Sequence, residues 1–241
     1  MIVEGTAVSG AKPCDCRAET RAGRLTEKAQ IPPLYRGTSF ENFSIPGPEN
    51  PMARRDLTGV LLAVKKFANE FPSESRPGLL LSGKPGTGKT HLAVAAMRQI
   101  VEKGYECLFC DYQTLLNSIK AGYDPASNSS DKEAYRTALD AEVLVLDDLG
   151  AHRVTDWVED TVTSILTHRC NHRKALIATT NLPIPDIGDA AYGKSALGHP
   201  EHMTTLDQRI GPRGYSRLFE MCTVVRMPLI EDYRLRKART F

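Results

Sequence analysis

The chain has 241 residues and shows two hydrophobic patterns in alternation. Short continuous apolar runs predict buried strands, whereas apolar positions three and four residues apart predict amphipathic helices. The apolar runs are GLLLS (78–82), YECLFCD (105–111), VLVLD (143–147), ALIATTN (175–181) and CTVVRM (222–227). Helical patterns cover residues 17–29, 54–71, 90–104, 112–122, 131–141 and 154–173, with shorter pieces at 205–210 and 215–221. Apolar strands that alternate with helices predict an α/β fold, with a five-stranded parallel sheet between helices.

The first part of the chain differs from the rest in composition. Residues 1–50 are rich in Gly, Pro and Ser, and only the basic stretch 17–29 has a helical pattern. We therefore expect an N-terminal extension over residues 1–50 and one domain over residues 51–241.

The overall composition excludes some classes of protein. The hydrophobic fraction of 41% is ordinary for a globular protein, and the net charge of +2 is too small to indicate nucleic-acid binding by itself. The chain has no apolar run of about 18 residues and no basic stretch followed by an apolar one at its start. We therefore expect no membrane partner and a cytoplasmic location.

Residues 83–90, GKPGTGKT, match the phosphate-loop pattern G-x-x-x-x-G-K-[ST] between a predicted strand and a predicted helix. Glycines let successive backbone N–H groups converge on phosphate oxygens, and the helix N-terminus adds its positive end. We expect Lys89 to reach the β- and γ-phosphates of ATP and the Thr90 hydroxyl to bind Mg²⁺. The predicted nucleotide-binding residues are Gly83, Lys84, Pro85, Gly86, Thr87, Gly88, Lys89, Thr90 and His91.

Polar side chains also follow two other predicted strands. Asp147 and Asp148 end the run VLVLDD, and Asn181 ends ALIATTN. Asp147 is predicted to hold Mg²⁺ together with Thr90. Asp148 is one residue further along the chain, so its side chain points in a different direction from that of Asp147. This placement suits a base that polarises the attacking water. The amide of Asn181 can sense the γ-phosphate and orient that water.

Together these segments resemble the AAA+ ATPases. GKPGTGKTHLA, VLVLDDLGA, ATTNL and YSRLFEMC are similar to the DnaC-like helicase loaders and the related IstB transposition helpers, over about residues 35–236. The lead-in IPPLYRGTSFENF also resembles the loaders. The resemblance implies a P-loop NTPase fold of the AAA+ type. Because the chain ends shortly after Arg236, we expect no helical lid domain.

The resemblance also implies roles for single residues. Asn181 matches sensor 1, Arg217 matches the arginine finger that reaches the ATP of a neighbouring subunit, and Arg234 matches the sensor 2 arginine. Arg209 and Arg213 are alternatives to Arg217. With the proposed base, the predicted catalytic residues are Asp148, Asn181, Arg217 and Arg234.

The function implied by the resemblance is that of an ATPase in DNA replication. Such a protein would assemble through its arginine finger and load the replicative DNA helicase onto single-stranded DNA. A transposition helper, a metabolite kinase and a nucleotide-binding adaptor with little turnover stay open as alternatives. The Thr-Thr-Asn strand and the Ser-Arg-Leu segment argue against the kinase.

Two further features bear on partners. Helicase loaders often carry paired cysteines that bind zinc, but only Cys14 and Cys16 stand in the N-terminal extension, with no histidine nearby. Because structural zinc takes four ligands, we expect no complete zinc site. The candidate DNA contacts are the basic clusters Arg17, Arg21, Arg24 and Lys28, Arg54 and Arg55, and Lys65 and Lys66.

Overall fold

The computed structural model describes residues 15–73, 75–123, 129–185 and 204–238. Five strands form one parallel sheet in the order β2-β3-β4-β1-β5. They are β1 (Gly78–Ser82), β2 (Cys107–Asp111), β3 (Val143–Asp147), β4 (Ala175–Thr180) and β5 (Cys222–Arg226). The predicted α/β fold with a five-stranded parallel sheet is therefore confirmed, and each strand lies within its predicted apolar run.

The helices also follow the predicted patterns closely. They are α1 (Asp15–Lys28), α2 (Pro51–Glu70), α3 (Lys89–Glu102), α4 (Tyr112–Ala121), α5 (Ser129–Asp140), α6 (Asp156–Asn171), α7 (Leu206–Met221) and α8 (Tyr233–Ala238). Helix α8 and a short 3₁₀ turn at Pro33–Tyr35 were not predicted. Among the residues that the structure describes, no helix is long and apolar enough to span a membrane.

Helix α7 is broken near its start, which explains why its sequence predicts two pieces. Gly211 has a φ of 74°, outside the helical region, and Pro212 follows it. A side chain at Gly211 would collide with the Glu159 carboxylate of α6. Because glycine readily adopts this backbone conformation and Pro212 has no N–H to donate, the break is encoded locally.

The sheet separates two hydrophobic cores. Leu79 and Leu81 of β1 point into the core formed with α2 and α3, whereas Leu80 points into the core formed with α4, α6 and α7. This alternation is the two-residue period of a strand, and both faces are apolar because helices cover both.

Part of the predicted N-terminal extension packs on the first core. Ala29, Ile31 and Phe40 are buried there, and the Phe109 N–H of β2 donates to the Ala29 carbonyl at 2.8 Å. This packing brings the following residues, up to Phe43, to the sheet edge where the phosphate loop lies. The division of the chain at residue 50 stays a prediction.

The strand order determines where the site forms. Strand β4 lies between β3 and β1, and all three are parallel. Their carboxyl ends, which carry Asn181, Asp147 and the phosphate loop, therefore meet at one edge of the sheet. This is the edge where ligands bind in open α/β sheets.

Candidate functional site

The phosphate loop joins β1 to α3. Gly86 and Gly88 have φ values of 72° and 94°, a region that residues with a side chain rarely adopt. The Thr87 hydroxyl closes the loop by donating to the Lys84 carbonyl at 2.8 Å. Because α3 begins at Lys89, the unpaired N–H groups of its first turn face the concave side of the loop.

Lys89 is the buried cation at the base of the loop, with only 4% of its surface exposed. Its Nζ donates to the Gly83 and Lys84 carbonyls, both at 2.8 Å, and to Asn181 Oδ1 at 2.6 Å. Burial lowers the Lys89 pKa to about 8, although the charges of Asp148 and Asp147 oppose this shift. No carboxylate is among its three hydrogen-bond partners, so the ammonium is suited to receive an anion.

The pair Thr90 and Asp147 lies next to Lys89. The Thr90 hydroxyl donates to Asp147 Oδ1 at 3.0 Å, and the Thr179 hydroxyl of β4 donates to the same oxygen at 2.6 Å. Oδ2 takes no part in either bond. Burial raises the Asp147 pKa, and the Thr179 hydrogen bond opposes this shift. A hydroxyl and a carboxylate at this distance are the hard oxygen ligands that Mg²⁺ prefers, so these residues fit the metal.

Asp148 is held in an unusual backbone conformation directly after β3. Its φ is 54°, and its N–H donates to the Thr179 hydroxyl at 3.0 Å. Its Oδ1 accepts a hydrogen bond from Asn181 Nδ2 at 2.7 Å. Because Asn181 also binds Lys89, a continuous chain of hydrogen bonds runs from Lys89 through Asn181 to Asp148. Strained residues of this kind are often found at functional sites.

A cavity of about 610 Å³ opens above these residues. Its volume is within the range of small-molecule sites. Lys89, Thr90, Asp148 and Asn181 line its polar end, and Tyr35, Phe43 and Ile230 supply apolar surface. The residues present therefore fit a nucleotide, because the polar end suits phosphates and the apolar wall suits a base.

The residues around Phe43 were not among the predicted site residues. Phe43 lies against Gly88, where a side chain on the glycine would collide with the Phe43 ring, and it makes an edge-to-face contact with His91. A ring nitrogen of His91, Nε2, lies 2.9 Å from the Ser39 carbonyl. His91 thus connects the phosphate loop to the N-terminal segment. The sequence signal for this contact was the segment SFENF, which resembles the lead-in of the helicase loaders.

The predicted arginines lie in two different places. Arg234 lines the cavity with Lys89, whereas Arg217 is not among the lining residues. Arg217 lies on α7 with 41% of its side chain exposed, and its Nη1 donates to Glu220 Oε2 at 2.6 Å. Arg209 donates to the His152 carbonyl at 3.1 Å. The fold thus brings together all the predicted site residues except Arg217. The roles assigned to the site residues stay predictions.

Comparison with known proteins shows the same family as the sequence motifs. A family model described as "IstB-like ATP binding protein" matches residues 63–204, more than half of the chain. The uncharacterized protein YqaM of Bacillus subtilis is 29% identical over 209 residues, which cover 84% of this chain and 64% of YqaM. The replicative helicase loader DnaC of Buchnera aphidicola is 27% identical over 159 residues, which cover 66% of this chain and 61% of that protein. This chain therefore spans less than two thirds of the length of both relatives.

Among solved structures, a crystal structure of the DnaC helicase loader is similar in fold and in sequence. It aligns with a TM-score of 0.64 and 30% identity, covering 82% of this chain and all of that chain. The predicted P-loop NTPase fold of the AAA+ type is confirmed by this similarity. The chain belongs to the family of IstB-like ATP-binding proteins, to which the DnaC-like helicase loaders are related.

Proposed function

We propose that this protein binds and hydrolyses ATP and loads a replicative DNA helicase onto single-stranded DNA. The observation that carries the ATPase proposal is the hydrogen-bonded chain from Lys89 through Asn181 to Asp148. It links the group that would hold phosphate to the group that would act on water. A change at the γ-phosphate can therefore be transmitted to the base through one amide side chain.

In the proposed reaction, Lys89 exchanges its bond to Asn181 for a phosphate oxygen, because its other two partners are fixed loop carbonyls. The Asn181 side chain, which still donates to Asp148, then orients the attacking water toward Asp148, which accepts the proton of that water. Thr90 and Asp147 would hold Mg²⁺. When bound, this ion supplies positive charge against the charge that develops on the phosphate oxygens.

We further propose that Arg217 completes the site of a neighbouring subunit. Its guanidinium is exposed on α7 and lies outside the cavity of its own chain. An arginine supplied in trans stabilises the charge on the transferred phosphoryl group and can raise turnover by about 10³-fold or more. Turnover would then depend on assembly, and ATP would act as an assembly switch.

A transposition helper is the second candidate. The family model that matches the chain is described as IstB-like, which supports this alternative. The identity to the DnaC helicase loader over the whole length of that structure supports the loader. Both candidates use the same ATP site and differ in the partner and in the form of DNA. The third candidate is an adaptor that binds nucleotide without hydrolysing it.

The deciding experiment measures ATP turnover of the purified protein alone, with single-stranded DNA and with duplex DNA. Each condition is repeated with the host's replicative helicase, and binding of the helicase is measured separately. The loader predicts stimulation by single strands and a complex with the helicase. Stimulation by duplex alone, without helicase binding, would favour the transposition helper, and ATP binding without turnover in any condition would favour the adaptor.

The same experiment can test the proposed DNA contact. Arg21, Arg24 and Lys28 are exposed on α1, although Arg21 also donates to the Gly104 carbonyl. Binding through such residues releases counterions, so the stimulation should fall steeply as salt rises. Replacing Arg24 and Lys28 together by Ser should weaken DNA binding and leave turnover without DNA unchanged.

A further inference from the structure

The C-terminal segment 230–238 contacts the phosphate loop at Gly86. The Tyr233 N–H donates to the Gly86 carbonyl at 3.1 Å. The Asp232 carboxylate occupies the place where a side chain on Gly86 would stand. Gly86 therefore permits the loop turn and also the close approach of Asp232.

Asp232 makes a second contact with its own segment. Its Oδ1 accepts a hydrogen bond from the Arg234 N–H at 2.8 Å, at the start of α8. This is the arrangement of a helix N-cap. A helix of six residues is unstable by itself, so α8 depends on such contacts for its position. One carboxylate thus joins the start of α8 to the phosphate loop.

Arg234 lines the nucleotide cavity from α8. Its charge lowers the Lys89 pKa, and the charge of Asp232 raises it, so both residues lie within electrostatic range of Lys89. Asp232 is not among the cavity-lining residues. It therefore contacts the loop from outside the cavity, while Arg234 borders the cavity itself.

From these contacts we propose that Asp232 is a positioning residue, which fastens α8 to Gly86 and so holds Arg234 where it meets the γ-phosphate of ATP. The inference rests on the proposed ATP site and names the contact that orients one of its arginines. ADP lacks the γ-phosphate, so the contact between Asp232 and Gly86 should affect the affinity for ATP and not the affinity for ADP.

The test compares affinities for ATP and ADP by isothermal titration calorimetry in the intact chain. Asp232→Ala removes the cap and the contact with Gly86, and it should weaken ATP binding about five-fold without changing ADP binding. Asp232→Asn keeps the shape and the hydrogen-bond acceptor, so it should restore the wild-type ratio. Thr155→Ala removes the N-cap of α6, away from the cavity, and should change neither affinity.

A double-mutant cycle separates positioning from a general structural effect. If Asp232 acts through Arg234, then Asp232→Ala should have no further effect on ATP binding in an Arg234→Ala background. Equal weakening of ATP and ADP by Asp232→Ala, or additive effects in the cycle, would overturn the inference. If the wild type bound no ATP, the proposed function itself would fail. If the wild type bound ATP but Asp232→Ala kept the wild-type ratio, only the inference would fail.

Discussion

Among the residues that the structure describes, Lys89 and Arg169 are both buried cations with no carboxylate as a hydrogen-bond partner, yet their surroundings differ. Lys89 donates to two loop carbonyls and to the Asn181 side chain, and it borders a cavity of about 610 Å³. Arg169 of α6 is 0% exposed, and within the described part of the chain its hydrogen bonds all go to backbone carbonyls. Those carbonyls belong to Ala138, Leu139, Ala141, Glu142 and Ala175.

The difference shows that burial of a charge does not by itself identify a functional site. Arg169 satisfies the last carbonyls of α5 and joins them to the start of β4, which is a structural role. Lys89 has one partner that can move, a side-chain amide, and open volume beside it. Burial lowers the pKa of both, to about 8 for Lys89 and about 10 for Arg169, so the pKa does not separate them. The type of hydrogen-bond partner and the neighbouring cavity distinguish the two cations.

The largest expected effect on stability is that of Arg169→Met. The change leaves up to five carbonyls without their donor, so we expect the free energy of unfolding to fall by about 3 kcal/mol or more in urea titrations. Arg136→Met, at an exposed arginine of α5, is the matched control and should stay within about 0.5 kcal/mol of wild type. Wild-type stability of the Arg169 variant would show that its bonds are dispensable.

Lys89→Met should mainly weaken ATP binding, whereas Arg169→Met should mainly lower stability. ATP affinity should fall about 100-fold because a charged hydrogen bond to phosphate is lost. The free energy of unfolding should change by less than about 1 kcal/mol, since the removal of a buried ammonium offsets the loss of the donor to three acceptors. Calorimetry and urea unfolding on one preparation measure both, with Lys66→Met of α2 as the control. A large loss of stability would place Lys89 in the same structural class as Arg169.

Asn181→Ala tests the exchangeable partner of Lys89. Removing the amide breaks the link to Asp148, so turnover should fall about 10-fold or more, the value of a hydrogen bond to a charged group. Affinity for ADP should stay near wild type because the loop carbonyls still hold Lys89. Steady-state ATPase assays measure the turnover, and ADP titrations measure the affinity for ADP. Equal losses in both would mean that Asn181 only supports the loop.

The smallest expected effect is a pH dependence of ATP binding. The nucleotide-free Lys89 pKa is lowered to about 8, and a bound phosphate should raise it, so binding takes up a proton as the pH approaches 8. Affinity should therefore fall as pH rises, by about two-fold between pH 7 and pH 8. Titrations in two buffers of different ionisation enthalpy measure the proton uptake, which Lys89→Met should lack.

Much of the fold and the polar end of the site could be predicted because the signals are local. Each strand is an apolar run, Asp147 is the last residue of β3, and the phosphate loop and Asn181 directly follow β1 and β4. The contacts of Phe43 with Gly88 and of Asp232 with Gly86 join residues far apart in the chain. Nothing in the local pattern marks such pairs. Arg169 was missed for the same reason, since its partners are backbone groups, which no residue type reveals.

We expect ATP at the Lys89 site of one subunit to be hydrolysed with help from Arg217 of another. Arg217→Ala should keep nucleotide binding and lose turnover by about 10³-fold. Asp148→Asn should also lose turnover but keep a functional Arg217. Arg213→Ala, at an exposed arginine one helical turn earlier, distinguishes the alternative finger.

Mixing the two inactive variants is the most direct measurement. Under assembled conditions, an intact site of the Arg217→Ala subunit can meet the Arg217 of the Asp148→Asn subunit. We expect the mixture to regain ATP turnover that neither variant shows alone. If the mixture stayed as inactive as its components while sedimentation showed mixed assemblies, or if Arg217→Ala alone turned over ATP at the wild-type rate, the claim would be contradicted.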